Sequence, residues 1–361
     1  MQCILLRRHA VWMAVVVAMG AGLAGLAGCG GGGGDVSPAP LTAANIDLSS
    51  ANRDTVAHAS AAGILGLSPA DTLPMAPASA GVGRQRALAV GGAHSSTWLG
   101  HLLPLVLEPA RALARSVDSP RVRTLAAVID EPCAVSGTVS ISFDDVDLSG
   151  SPTAGDVLTI AYHGCMDTPF ETLGGTVTTV YTQIGANSLS ARMTLSQFSD
   201  VASRHAMTVN GAMLLEFSQP GGTVEVTRVT ADGSVVASVS THLPFSDTVT
   251  LLGGFVEELT YDASALPPPG SSQAGRAAST IKGALQSAAA GGIVDVSTLA
   301  SAPITKYDAE AYPRAGTVQV RGRTGSLLVT VLSAASVQLA LDANGDGLAE
   351  STETVGWDWL F

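Results

Sequence analysis

Residues 316–361 read GTVQVRGRTGSLLVTVLSAASVQLALDANGDGLAESTETVGWDWLF, and no other part of the chain declares its structure so plainly. Apolar and polar side chains alternate in short runs, the two-residue period of a strand with one buried face. Strands are therefore expected at 316–321, 326–332, 337–341 and 354–361, with Arg323, Thr324 and Gly325 in the first turn. The third turn is Asp342, Ala343, Asn344, Gly345, Asp346, Gly347. Runs separated by so few residues pair most simply with their sequence neighbours, which gives antiparallel ladders. The fold class that follows is mainly β: an antiparallel meander, as an open sheet, a sandwich or a curled barrel-like form, after a short α-helical N-terminal segment.

The same texture extends back to Cys133. Runs rich in Val, Thr, Ser, Ile and Leu lie at 137–143, 156–163, 175–182, 189–195 and 206–217, then at 223–230, 234–240, 248–252 and 255–261. Gly, Asp, Asn or Pro bounds each one, as turn chemistry requires. Pro267, Pro268 and Pro269 interrupt the series, and an Ala-rich helix is expected near 279–290. Gly-Thr-Val recurs at Gly137, Gly175, Gly222 and Gly316, but its spacing is too irregular for a solenoid.

Upstream the pattern is helical. Over 41–67 a helix is expected with Ser49 or Ser50 as cap, Asp54 in its first turn, and Val56, Ala59, Gly63 and Leu67 on one face. The stripe is narrow, so loose packing is expected. Residues 68–95 turn to Pro, Gly, Ala and Ser without period, a linker or irregular loop. A second helix is expected at 104–116, with Pro104 suited to its first position and Pro109 able to split it.

Composition agrees with strands and tight turns. Aromatic residues are 4% and charged residues 13% of the chain, with Gly, Ala, Ser, Thr and Val dominant. The net charge of −12 argues against nucleic acid as a partner, since phosphate binding needs clustered Lys and Arg. It suits divalent cations.

The first residues supply an address. Arg7, Arg8 and His9 precede an apolar run from Ala10 to Ala27, which ends in Leu26, Ala27, Gly28 and Cys29. This order resembles the lipobox of bacterial lipoprotein signal peptides. An ordinary secretory signal or a membrane-spanning anchor is the alternative, but the run is short and rich in Gly and Ala, and a spanning helix needs about 20 strongly apolar residues. The resemblance implies cleavage before Cys29 and lipidation of its thiol and new amino terminus. More than one acyl chain gives stable membrane anchoring. Loss of residues 1–28, with Arg7, Arg8 and no acid, takes the net charge to −14. Residues 29–40, with Gly30 to Gly34 and then Pro38 and Pro40, form a tether, 41–130 the helical and irregular segment, and 131–361 the β region. Gly30 after the cysteine resembles the outer-membrane class, so the expected place is the outer membrane, held by lipid.

Export bears on the remaining thiols. Cys3 leaves with the signal and Cys29 carries lipid, so Cys133 and Cys165 remain as an even pair in an oxidising compartment and read as one disulfide. A zinc site is the rival, but the pair lacks CxxC spacing. These cysteines, Ser136 to Val139, Ala154 to Asp156, the run from Leu341 to Gly347 and the late tryptophans together resemble a group of Gram-negative lipoproteins with a repetitive strand region. That likeness implies fold and place, and no chemistry.

The Asp342 turn fits the calcium-loop pattern: Asp342 at position one, Asn344 at three, Asp346 at five, Gly347 at six and Glu353 at twelve. Leu348 at seven would offer its carbonyl, and Glu350 at nine can stand in for Glu353. Calcium takes six or more hard oxygens, which alternate residues of a tight turn can supply. Against calcium, the flanks read as strands, and Asn-Gly or Asp-Gly between alternating runs also marks a metal-free hairpin. Asp144, Asp145, Asp147 and Asp156 form a weaker cluster that reads first as a solvated turn, with a cation as the alternative.

Catalytic patterns are lacking: no GxSxG elbow, HExxH or GxxxxGK occurs, and His58, His94, His101, His163, His205 and His242 are scattered. Alternating Val355, Trp357, Trp359 and Phe361 resemble the last strand of an outer-membrane barrel, though a half-buried closing strand suits so aromatic-poor a chain better. The leading expectation is a non-enzymatic, lipid-anchored binding or structural module of the envelope with calcium as candidate cofactor. The alternatives are an outer-membrane β-barrel or barrel accessory, and an extracytoplasmic hydrolase.

Overall fold

The computed structural model describes residues 44–64 and 128–360, apart from 150–151, 170, 186, 203–204, 242–244, 267–274, 309 and 311. The lipobox with Cys29, the tether, the expected linker at 68–95 and the helix at 104–116 lie outside the described residues.

Among the described residues seventeen strands belong to one hydrogen-bonded antiparallel sheet. It begins with β1 (Val128–Pro132), β2 (Ser136–Asp144), β3 (Val157–Thr168), β4 (Glu171–Gly185), β5 (Ser188–Ala202) and β6 (His205–Gly221), each paired with the next. After β6 the simple meander divides. The C-terminal half of β6 pairs with β7 (Val224–Ala231) and its N-terminal half with β8 (Val235–Thr241). From there β8 pairs with β9 (Ser246–Leu251) and β7 with β10 (Val256–Asp262). Both branches meet again on β11 (Arg276–Ser287): β10 takes its first half, β9 its last residues.

Two glycines make this division possible. A Cβ on Gly211 in β6 would stand 2.7 Å from the Ser234 carbonyl and 2.8 Å from the Val235 Cα, where β8 begins. On Gly283 in β11 it would stand 2.6 Å from the Phe255 Cα. Any side chain would occupy the place of the crossing backbone, so only glycine lets a long strand serve two short ones.

Beyond β11, β12 (Gly292–Thr298) and β13 (Ile304–Tyr307) again share one long neighbour, and β12 leads to β14 (Gly316–Arg321). Then β15 (Ser326–Ser333), β16 (Ser336–Asp342) and β17 (Ser351–Gly356) close the series. The expected helix at 279–290 is corrected: those residues are most of β11, because Ala277, Ser279, Ile281 and Leu285 repeat with the two-residue period of a buried strand face. The expected strand at 354–361 is also corrected. It stops at Gly356, and α2 (Trp357–Leu360) turns the chain inward, burying Trp357 and Leu360. Trp357 Nε1 donates to the Ser333 carbonyl at 3.3 Å, and its ring stacks on Tyr312 with centroids 5.4 Å apart.

The core lies along one face of the sheet. Leu158 and Ile160 on β3, Met193 and Leu195 on β5, Val235, Leu285, Val320, Leu327, Leu339 and their neighbours share it. Preceding the sheet, α1 (Arg53–Ile64) packs on this face against β9, β11, β15 and α2. The expected loose packing is corrected, since Val56, Ala57, Ala59, Ala61 and Ala62 are each at most 6% exposed and point to all sides of the helix. Beyond its charged start at Arg53 and Asp54 the helix is enclosed, and alanine makes it slender enough to fit. It also starts later than expected. Asn52 folds back to accept the Ser49 N–H at 2.9 Å and donates to the Asp47 carbonyl, which holds 47–52 as a turn. Asp47 in turn pairs with Arg323 and accepts the Thr324 hydroxyl at 3.0 Å, fixing this segment to the β14–β15 turn.

The structure joins Cys133 to Cys165 with Cα atoms 5.5 Å apart, closing a loop of sequence separation 32. This ties the end of β1, which pairs with β2, to β3.

Candidate metal centre

The Asp342 turn connects β16 to β17, and its shape follows from carboxylate and amide oxygens accepting the turn's own N–H groups. Asp342 Oδ1 accepts from Gly345 N–H at 2.7 Å and Oδ2 from Gly347 N–H at 2.9 Å. Asn344 Oδ1 accepts from Asp346 N–H and Asp346 Oδ1 from Leu348 N–H, both at 2.8 Å. Short side chains that reach backbone two to five residues on wind the chain tightly around a point. Across the turn, Glu350 Oε2 accepts Ala343 N–H at 2.6 Å.

The result gathers the side chains of Asp342, Asp346 and Glu350, with one carboxylate oxygen from each within 4.8 Å of the others. Asn344 joins the rim, its Nδ2 donating to Asp346 Oδ2 at 3.2 Å. Leu348 stands at the tip, 73% exposed. A set of hard oxygens that mixes carboxylate and amide fits calcium or magnesium and lacks the nitrogen and sulfur that zinc prefers.

Glu353, expected at position twelve, is elsewhere. Ser351 already pairs with Leu341, so the ladder claims the chain from that residue on and Glu353 stands opposite Leu339. From there it forms an ion pair with Arg53 at the start of α1. Glu350 N–H donates to the Leu341 carbonyl at 2.9 Å, which closes the turn at position nine. A helix after the loop would swing residue twelve inward; a strand carries it away.

The weaker cluster is also drawn together in part. Asp145, Asp147 and Asp156 each place a carboxylate oxygen within 4.8 Å of the others, while Asp144 ends β2 and is exposed. Ser149 and Thr153 stand in the same knot and were not among the expected residues; the spacing from Asp145 to Asp156 was the signal that could have found them.

Of the histidines, His58 is stacked between Phe245 and Trp359, with centroids 5.0 and 4.4 Å away, and its Nδ1 lies 3.3 Å from the Leu360 carbonyl. Burial pushes its pKa below the ordinary value. His163 is exposed on β3. His94, His101 and His242 lie outside the described residues. No protein-family model, curated protein or solved structure matches this chain.

Proposed function

We propose that this protein is a lipid-anchored envelope lipoprotein whose β region is a non-enzymatic binding or structural module, stiffened by calcium at the Asp342 turn. The observation that carries the calcium reading is the meeting of Asp342, Asp346 and Glu350 at the end of the β16–β17 ladder. Three acidic groups this close repel one another unless a cation or proton lies between them. A bound ion there would fix the turn that holds β17, a short strand with one buried residue, Val355, against the sheet.

The place in the envelope rests on the Cys29 lipobox, and the disulfide between Cys133 and Cys165 is consistent with an oxidising compartment. Two observations favour a lipid-held module over an integral barrel. Arg192, Glu216, Arg228 and Lys282 occupy outward positions that a barrel would turn to lipid, and among the described residues β1 and β17 do not pair with one another.

The test of the anchor is labelled palmitate, which should enter the parent protein in cells and not Cys29→Ala. The test of calcium is thermal unfolding with and without the ion. The parent should gain several degrees at millimolar calcium, and the gain should vanish in Glu350→Gln yet survive in Glu353→Gln. A parent insensitive to calcium, or equal loss in both variants, refutes the assignment of the ligands.

A further inference from the structure

Among the described residues β1 pairs with β2 alone and β17 with β16 alone, and these two strands are not equally guarded. An unpaired strand edge is a ready template for a further strand, and proteins blunt it with proline, charge, a bulge or a covering element. β1 follows that practice, since three of its residues are Asp130, Glu131 and Pro132. β17 does not. Its residues, 351–356, include no proline or lysine, and its register against β16 runs without a bulge. The one charged side chain of the strand, Glu353, is held by Arg53 of α1.

The side of β17 away from β16 is open. In an antiparallel ladder alternate residues turn both N–H and C=O toward one neighbour, and the residues between turn theirs the other way. Half of the six residues of β17 therefore direct their backbone groups away from β16, and among the described residues no other backbone hydrogen bond reaches 351–356. Thr352, Glu353, Thr354 and Gly356 are exposed, while Val355 is buried. Threonine and valine suit a pleated surface, so an added strand meets side chains fitted to pack beside it.

Charge selects the partner. From Thr324 to Phe361 the chain holds Asp342, Asp346, Glu350, Glu353 and Asp358 and no lysine, arginine or histidine. Glu350 stands immediately before β17 and Asp358 two residues after it, both exposed. Asp358 accepts the Tyr312 hydroxyl at 3.1 Å, a neutral donor that leaves its charge unbalanced, and Arg53 is shared between Glu353 and Asp54. A second copy joined by the same edge is disfavoured. The antiparallel registers that keep like faces together and pair most of the strand bring Glu353 against its own counterpart or Glu350 toward Asp358, and like charges across a ladder destabilise it. We propose that the free edge of β17 docks an extended basic segment of another protein, which adds a strand to the sheet and sets lysine or arginine near Glu350 and Asp358. Backbone pairing gives such a complex its affinity, and the flanking charges suppress wrong partners and fix the register. This inference rests on the reading of the β region as a binding module and names its partner; it needs neither the lipid anchor nor calcium.

The probe is a synthetic peptide, Lys-Thr-Val-Thr-Val-Thr-Lys with both ends blocked and a fluorescent label, titrated into the full-length protein in detergent and EDTA and followed by anisotropy. EDTA keeps this test apart from the Asp342 reading, whose failure shows as melting insensitive to calcium and not here. The peptide should bind, and exchanging both lysines for glutamate should weaken it at least tenfold. Two further peptides carry N-methyl groups on alternate residues, one on the odd positions and one on the even. Only alternate N–H groups of an added strand face the edge, so one of these should lose at least tenfold in affinity and the other should keep it. Amide hydrogen exchange should slow at 351–356 on binding. Thr352→Lys, at an exposed position, should weaken the peptide several-fold with the melting temperature unchanged. No binding at millimolar peptide, equal binding by the glutamate peptide or by both N-methyl peptides, protection confined to other strands, or unchanged affinity in Thr352→Lys overturns the proposal. So does slow exchange at 351–356 before peptide is added: in a dimer seen by sedimentation it gives the edge to a second copy, and in a monomer to the chain itself.

Discussion

Replacing both Cys133 and Cys165 by alanine tests how far the β region depends on its one described cross-link. The bridge spans a sequence separation of 32, and chain entropy for a closed loop of that length gives about 3.5 kcal/mol lost when it opens. Cys165 is 3% exposed within the core, so trimming its sulfur to a methyl adds roughly 0.5 kcal/mol for the space left behind. The sum, about 4 kcal/mol, is a large share of the ~5–15 kcal/mol that usually separates folded from unfolded chains. Urea unfolding followed by tryptophan fluorescence should show a lower midpoint and a slightly steeper slope, because the uncross-linked denatured chain exposes more surface. Melting should fall by roughly 8 °C at about 2 °C per kcal/mol for a chain this large. Hydrogen exchange should also quicken at 128–132 first, since among the described residues β1 pairs with β2 alone. A loss under about 1 kcal/mol with an unchanged slope would refute the reasoning, for the loop would then not restrict the denatured chain.

Other consequences are more local. Gly283→Ala should destabilise by about 2–3 kcal/mol, measured by the same urea titration, because its Cβ would meet the Phe255 Cα at 2.6 Å as well as that residue's ring, and the backbone cannot swing aside. His58 should make stability fall in mild acid. Burial lowers its folded-state pKa despite the opposing Leu360 carbonyl and Asp54 charge, so the unfolded chain takes up the proton first. Stability is then whole above the ordinary value of 6.5 and declines as pH falls from there towards the depressed folded value. A His58→Gln variant should be flatter between pH 7 and 5 in melting temperature; an identical slope would show that other groups govern this range. Arg323→Ala should leave the melting temperature almost unchanged, because its pair with Asp47 is exposed on both sides and solvent screens it.

Much of the architecture could be read from residue order. Alternation placed the strands at 316–321, 326–332 and 337–341 close to their observed bounds, since a strand with one wet face must alternate. Counting thiols paired Cys133 with Cys165, and acidic spacing singled out Asp342, Asn344, Asp346 and Glu353 with Glu350 as a stand-in, of which the structure gathers Asp342, Asp346 and Glu350. Where local pattern misled, a distant neighbour decided. Alanine-rich 276–287 has helical composition but is hydrogen-bonded on both sides by strands, and the ladder overrode its propensity. Val355 and Trp357 alternate as strand residues would, yet a pocket bounded by Ser333 and Tyr312 drew the indole in and ended β17.

The sequence alone determined most of the strands outside 276–307, which cysteines meet, and which turns carry the acids, because these depend on neighbours a few residues away or on a simple count. Only the tertiary structure decided that long β6 and β11 each serve two shorter strands, that α1 beyond its first turn is enclosed, and that position twelve is lost from the Asp342 turn. Each of those depends on where a partner far along the chain comes to lie, and no local period records it.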